Sequence, residues 1–237
     1  MVARSTLLLI FITPKIIADI ALRCFMSGSA QPTDELCRNI VCKFLFGEAT
    51  RSNGALSWTM DYSGNVFLVG PMGVGKTTIG RALAERMNLD FFDSDQEIET
   101  ATGADIPWIF DVEGEQGFRH REVNMINLLS GRKNIVLATG GGAVLDKKNR
   151  KRLKKRGLVV YLRASIKQQI DRTARDRHRP LLQKGNPEQT IKDLMGVREP
   201  LYLEVADVVV DTNRRNPKGV SNEIIKQIKI HQQSSGP

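Results

Sequence analysis

Cysteine is scarce in this chain. Three occur in 237 residues, Cys24, Cys37 and Cys42, none in a zinc-like or redox spacing. That pattern argues against a disulfide-stapled fold and fits a reducing compartment and a mechanism without thiols. Long apolar runs are missing too. The stretch at 7–12 (Leu-Leu-Leu-Ile-Phe-Ile) follows Arg4 much as a secretory signal would, but Pro14 and Lys15 end it. It falls well short of the roughly 20 residues a membrane-spanning helix needs. There is no internal repeat, no low-complexity array and no N-K-x-D guanine signature. Positive charge is in excess, 35 Lys and Arg against 26 Asp and Glu. A ligand carrying several phosphates accounts for that without nucleic acid.

The chain does hold a phosphate loop. Gly70-Pro71-Met72-Gly73-Val74-Gly75-Lys76-Thr77 fits G-x-x-x-x-G-K-[ST] at every fixed position. A buried-strand run precedes it at 65–69 (Asn-Val-Phe-Leu-Val), and Ile79, Leu83 and Met87 follow at helical spacing. Strand, glycine turn and helix are the setting the motif requires. Gly73 and Gly75 permit positive φ and close approach to phosphate. The loop amides and the helix N-terminus present positive charge to it. Lys76 adds a full charge near the β- and γ-phosphates, and the Thr77 hydroxyl suits Mg²⁺. The protein is expected to bind a nucleoside triphosphate.

From residue 65 onward, strand and helix alternate. Apolar runs recur at 90–92, 135–138, 158–162 and 208–210, with helical patterns between them, including Ile166 with Ile170 and a terminal helix marked by Ile224, Ile225, Ile228 and Ile230. This predicts an α/β fold, a parallel sheet with helices on both faces. The basic run at 147–156 reads as a solvated helix face, since no aromatics interleave its charges as a single-strand stacking surface needs.

Several polar groups lie at expected strand ends. Asp93 and Asp95 follow the second strand, at the carboxyl edge where ligands bind in open α/β sheets. On an extended chain they share one side, one serving Mg²⁺ through water and the other an acceptor hydroxyl; alternatively Asp95 caps the next helix. Gly140-Gly141-Gly142 follows the third strand and allows close backbone approach to a bound molecule, or is simply a flexible turn. Asp111-Val112-Glu113-Gly114 matches the GTPase D-x-x-G but lies in a helical pattern, so it is set aside. Arg119, the arginines from Arg172 to Arg179, and Arg198 offer planar anion recognition. The polar run at 173–182, closed by Pro180, reads as a mobile cover excluding water from phosphoryl transfer.

Taken together, the phosphate loop at 70–81, Asp93-Ser94-Asp95, Glu115-Gln116-Gly117-Phe118-Arg119, the triple glycine, Arg179-Pro180-Leu181-Leu182 and Arg198-Glu199-Pro200-Leu201-Tyr202 resemble shikimate kinase, in order and spacing, over about residues 64–232. The resemblance implies a three-layer P-loop NTPase fold with a five-stranded parallel sheet and a mobile lid. It implies ATP-dependent phosphorylation of the 3-hydroxyl of shikimate, with ATP and Mg²⁺ as cofactors. Gly73, Val74, Gly75, Lys76, Thr77 and Thr78 would hold the phosphates, and Thr77 with Asp93, through water, the metal. Asp95 would hold the ring hydroxyls and orient or deprotonate the 3-hydroxyl. Arg119 and Arg198 would clamp the carboxylate, and the Gly141 backbone would contact a hydroxyl. Arg179 would close over the transferring phosphate, with Arg172 and Arg215 by the adenine. Catalysis would rest on Lys76, Asp95 and Arg179.

A gluconate-type kinase and a non-catalytic nucleotide-binding module are the rivals, and the paired arginines favour a carboxylated acceptor over both. Residues 1–63 are expected to be an extension, poorly ordered or upstream of a start at Met60; residues 64–232 form the kinase domain and 233–237 a tail. A cytoplasmic monomer without nucleic-acid or stable membrane association is expected.

Overall fold

The computed structural model of the chain describes residues 49–52, 55–58, 62–173, 186–213 and 215–234. The chain divides into two units, Met1–Asp61 and Tyr62–Pro237. In the first, β1 (Ala49–Ser52) pairs antiparallel with β2 (Ala55–Trp58), with Ser52 opposite Ala55. Sequence reading finds no period there. The overlooked signal is Asn53-Gly54, a dipeptide that two-residue hairpin connections favour.

The second unit is built on five parallel strands: β3 (Val66–Val69), β4 (Asp90–Asp93), β5 (Ile135–Ala138), β6 (Leu158–Arg163) and β7 (Val208–Asp211), in the order β4-β5-β3-β6-β7. Each coincides with an expected apolar run. β3 sits at the centre, Val66 lying opposite Val136 on one side and Leu158 on the other. Parallel neighbours require crossovers, and helices supply them. These are α1 (Lys76–Met87), α2 (Ser94–Thr102), α3 (Ile106–Leu129), α4 (Lys147–Arg156), α5 (Ile166–Thr173), α6 (Pro187–Val205) and α7 (Pro217–Ser234).

Strand alternation divides the core in two. Phe67, Val69, Leu137, Val159 and Tyr161 pack with Ile126 of α3, Leu153 of α4 and Tyr202 of α6. Val66, Leu68, Val136 and Val160 point the other way and are equally buried. On that side α1 packs against α7 and β5. The result is the three-layer α/β/α architecture expected. At the foot of β3, Asn65 Nδ2 donates to the carbonyls of Arg132 (2.8 Å) and Arg156 (3.2 Å), tying together the turns that enter β5 and β6.

Two local readings gain detail. The D-x-x-G glycine, Gly114, interrupts α3 with φ 69° and ψ 178°, so the motif lies at a helix kink and not at a strand end. The basic run forms α4, and part of it is not solvated. Arg150 Nη1 donates to Val144 O of the preceding turn (2.8 Å), whereas Arg156, exposed, donates to Asn127 O of α3 (2.9 Å). Among the described residues, no helix is long and apolar enough to cross a membrane. The cysteines, the run at 7–12, Met60, the cover beyond Thr173 and Arg179 lie outside the described residues.

Candidate active site

The carboxyl edge of the sheet gathers the polar residues. β3 ends in the phosphate loop, where Gly73 (φ 72°) and Gly75 (φ 92°) take left-handed backbone angles that side chains resist. α1 begins directly after Gly75, so its N-terminal amides face the loop. Lys76 Nζ lies across the loop and donates to the carbonyls of Gly70 and Pro71, both at 2.8 Å.

On the far side of β5, β4 ends at Asp93, and here the expectation needs correcting. The chain does not stay extended to Asp95, because α2 begins at Ser94. The cap is Asp93, not Asp95: Asp93 Oδ1 accepts from the Asp95 amide at 3.0 Å. A helix replaces the extended segment because Asp93, Asp95 and Glu97 stabilise its N-terminus through capping and the helix dipole. Asp93 also turns its other oxygen to the phosphate loop, Oδ2 accepting from the Thr77 hydroxyl at 2.6 Å.

β5 delivers Gly140, Gly141 and Gly142 between these two neighbours. The Gly140 amide donates to Ser94 Oγ (2.9 Å), and Thr139 Oγ1 donates to Leu68 O (3.1 Å), which pins the strap on both sides. Its surroundings leave two of its three positions no room for a Cβ. A Cβ on Gly140 would lie 2.6 Å from Glu122 Oε1 and 2.7 Å from Asp95 Oδ1. On Gly142 it would lie 2.3 Å from Arg119 Nη1, and on Gly141 3.4 Å from the Met72 amide and 3.7 Å from Arg198 Nη1. The strap thus brings together Asp95, Arg119, Arg198 and the phosphate loop.

Glu122 is the residue that motif reading misses. It is 1% exposed on the inner stripe of α3 with Phe118, Ile126 and Leu129, an acid at an apolar position. That misplacement was its signal. Glu122 Oε2 binds Arg119 Nη1 at 2.8 Å, and Glu115 reaches Arg119 Nη2 at 3.1 Å. Burial draws the Arg119 pKa down, but Glu122 and Glu115 more than offset it and leave it above its ordinary value. Burial pushes the Glu122 carboxyl up against the pull of Arg119 and Arg198. Arg198 occupies the buried stripe of α6 at 4% exposure, and burial lowers its pKa, with Tyr202 and Glu122 opposing. Arg119 is thus ion-paired with the buried Glu122, and Arg198 adds a second buried guanidinium that feels the same charge, an environment suited to an anionic guest.

At the other end of the loop, Arg172 Nη1 donates to Gly73 O (3.2 Å) and Val74 O (3.0 Å). It lines a cavity of about 270 Å³ with Val74, Gly75, Thr78, Ile79, Thr212, Arg215, Pro217 and Val220. Apolar walls flanked by two arginines suit a base and its phosphates. For a divalent cation, the Thr77 hydroxyl and Asp93 carboxylate provide adjacent hard oxygen donors. Among the described residues no cluster of three or more His, Cys, Asp or Glu could hold a metal. The donor set fits Mg²⁺ shared with phosphates, not a protein cage.

The sequence profile of the shikimate kinases matches residues 72–229. The chain belongs to the shikimate kinase family. The shikimate kinase of Alteromonas mediterranea is 60% identical over 166 residues, 70% of this chain and 97% of that protein. That of Chromohalobacter salexigens is 59% identical, covering 69% and 91%. Among solved structures, shikimate kinase from Acinetobacter baumannii in complex with shikimate superposes with a TM-score of 0.70 at 52% identity, over 71% of this chain and 94% of that one. As a shikimate kinase, the chain uses ATP with Mg²⁺ to phosphorylate shikimate, a step of aromatic amino acid biosynthesis.

The two contacts of Asp93 can be tested separately from catalysis. Asp93→Ala should lower unfolding stability by about 0.5–2 kcal/mol through loss of the cap, whereas Asp93→Asn, an equally good cap, should change it by only a few tenths. Urea unfolding of both variants measures this; equal losses would show that the carboxylate charge, not the cap, supports α2.

Proposed function

We propose that the acceptor site of this shikimate kinase is the space around Gly140–Gly142, and that each side chain there has a distinct task. The observation behind the proposal is the convergence of Asp95, Arg119 and Arg198 on one backbone strap that also touches the phosphate loop. Arg119 and Arg198 hold the acceptor carboxylate by charge-assisted, forked hydrogen bonds. The Gly141 backbone meets a ring hydroxyl. Asp95 orients the 3-hydroxyl and can take its proton.

On the donor side, the amides of residues 73–78 and the Lys76 ammonium receive the phosphates. Arg172 and Arg215 flank the base. Thr77 and, through water, Asp93 hold the metal. When bound, Mg²⁺ would supply charge neutralisation to the phosphates at these two residues. The chain's own work is positioning and charge stabilisation, which phosphoryl transfer chiefly requires. Lys76 moves from the carbonyls of Gly70 and Pro71 to phosphate oxygens. Arg179 is assigned by resemblance alone to close over the transferring group, and the cover containing it excludes water. The kinase acts as a cytoplasmic monomer, without nucleic-acid or stable membrane association, and residues 1–63 take no part in the reaction.

The clamp is tested by Arg198→Lys, which keeps the charge and loses the fork. One charge-assisted bond is worth about 1.5–3 kcal/mol, so shikimate use should weaken roughly ten- to a hundredfold. Titrating shikimate and ATP separately against both proteins reads this out. Weakening of ATP alone would move Arg198 to the nucleotide site and end the proposal.

A chain beginning at Met60 should be folded and active, with kcat and both KM values within about twofold of the full chain, because the site lies wholly in the second unit. Insolubility or inactivity would show the extension to be structural.

A further inference from the structure

Tyr202 takes no part in the site as described so far, yet it touches both of its backbone and side-chain anchors. It lies on α6 four residues after Arg198, on the same buried stripe. Its hydroxyl donates to the carbonyl of Gly141. Its ring is fully buried and stacks on Tyr161 of β6, with centroids 5.0 Å apart and planes at 22°. Between Arg198 and Tyr202 stands Pro200, inside the helix. A proline there cannot donate to the carbonyl four residues earlier, so the backbone is loosened just where Arg198 must be held. An anchor outside the helix makes up for that.

We infer that Tyr202 is a positioning residue for acceptor binding, fixing the Gly141 peptide and the Arg198 turn of α6 relative to each other through its hydroxyl. Two elements distant in sequence must present one amide edge and one guanidinium to the same small anion. The Tyr202–Gly141 bond ties the two directly, and the stack on Tyr161 holds the phenol against rotation. Burial keeps the Tyr202 hydroxyl protonated well above its ordinary range, so it remains a donor throughout the working pH range.

Tyr161 provides the internal control. Its hydroxyl is also buried but has Glu199, not the glycine strap, beside it, and burial, with Glu199 adding to it, pushes its pKa up to about 12. A merely structural role for the aromatic pair would make the two hydroxyls comparable. A positioning role separates them.

This inference rests on the clamp proposed above, and the experiment keeps the two apart. Steady-state kinetics are measured on Tyr202→Phe, Tyr161→Phe, Arg198→Lys and the double variant Tyr202→Phe/Arg198→Lys. Tyr202→Phe should raise the KM for shikimate about five- to tenfold, leaving the KM for ATP within about twofold. Tyr161→Phe should move neither. The double variant should lose less than the product of the single effects, since both act on one contact. An unchanged shikimate KM in Tyr202→Phe, with a raised one in Arg198→Lys, would overturn the inference and leave the clamp standing. No change in either would overturn the clamp itself. Equal rises for shikimate and ATP would mark Tyr202 as a packing residue only.

If Tyr202→Phe does not fold, the unaltered protein carries the test. The chain has three tyrosines, Tyr62, Tyr161 and Tyr202. With ¹³C at the ring ζ carbon, and Tyr62→Phe and Tyr161→Phe assigning signals by elimination, shikimate should shift the Tyr202 resonance. A Tyr202 signal unmoved by saturating shikimate would overturn the inference.

Discussion

The site depends on a close approach of backbone to charge. Gly140, Gly141 and Gly142 run between carboxylates, guanidiniums and the phosphate loop, and at Gly140 and Gly142 a methyl group would collide with Glu122, Asp95 or Arg119. Removing Cβ atoms is how a chain brings peptide groups into a crowded polar site. The sheet makes this possible. β5 is flanked by β4 and β3, so its carboxyl end emerges between Asp93–Asp95 on one side and the phosphate loop on the other.

Economy of contacts follows from that placement. Asp93 ends a strand, caps α2 and binds Thr77, so a single carboxylate aligns the acceptor-side helix with the phosphate-binding loop. Ser94 holds the glycine strap by the next hydrogen bond along. Glu122 stands behind Arg119, which would otherwise be a long, entropically costly side chain in a half-buried position. None of these contacts performs a bond-making step. They reduce the number of arrangements available to the groups that do, and a reaction governed by positioning and charge gains most from exactly that restriction.

Much of this was legible in the sequence, for physical reasons that differ by residue. The three inner strands show as apolar runs because they are buried on both faces, and the phosphate loop shows because phosphate binding fixes glycine, lysine and threonine at set spacings. Arg119 and Arg198 read as anion-recognising arginines, but only the family resemblance joins them in one clamp, since an isolated arginine is ordinarily solvated. The sequence leaves open an extended segment or a cap at Asp95, and neither is right, because the period of a strand and the start of a helix are indistinguishable over three residues. Glu122 is missed, and Tyr202 enters only as the last residue of a family motif, without a role. Each is one polar-ended side chain on an otherwise apolar helical stripe, and its meaning lies in a partner on another element, Arg119 with the strap for one and Gly141 for the other.

Gly142→Ala tests the central claim most directly. Gly142 has ordinary negative φ, −94°, so alanine is tolerated by the backbone there. The added methyl meets the far end of Arg119, a flexible side chain that can swing away without unfolding the protein. Calorimetric titration of the variant should show shikimate affinity reduced by about a hundredfold or more, as loss of an arginine fork requires, with ATP affinity nearly unchanged. Undiminished shikimate binding would contradict the account, because it would mean that the acceptor does not depend on Arg119 held against the strap.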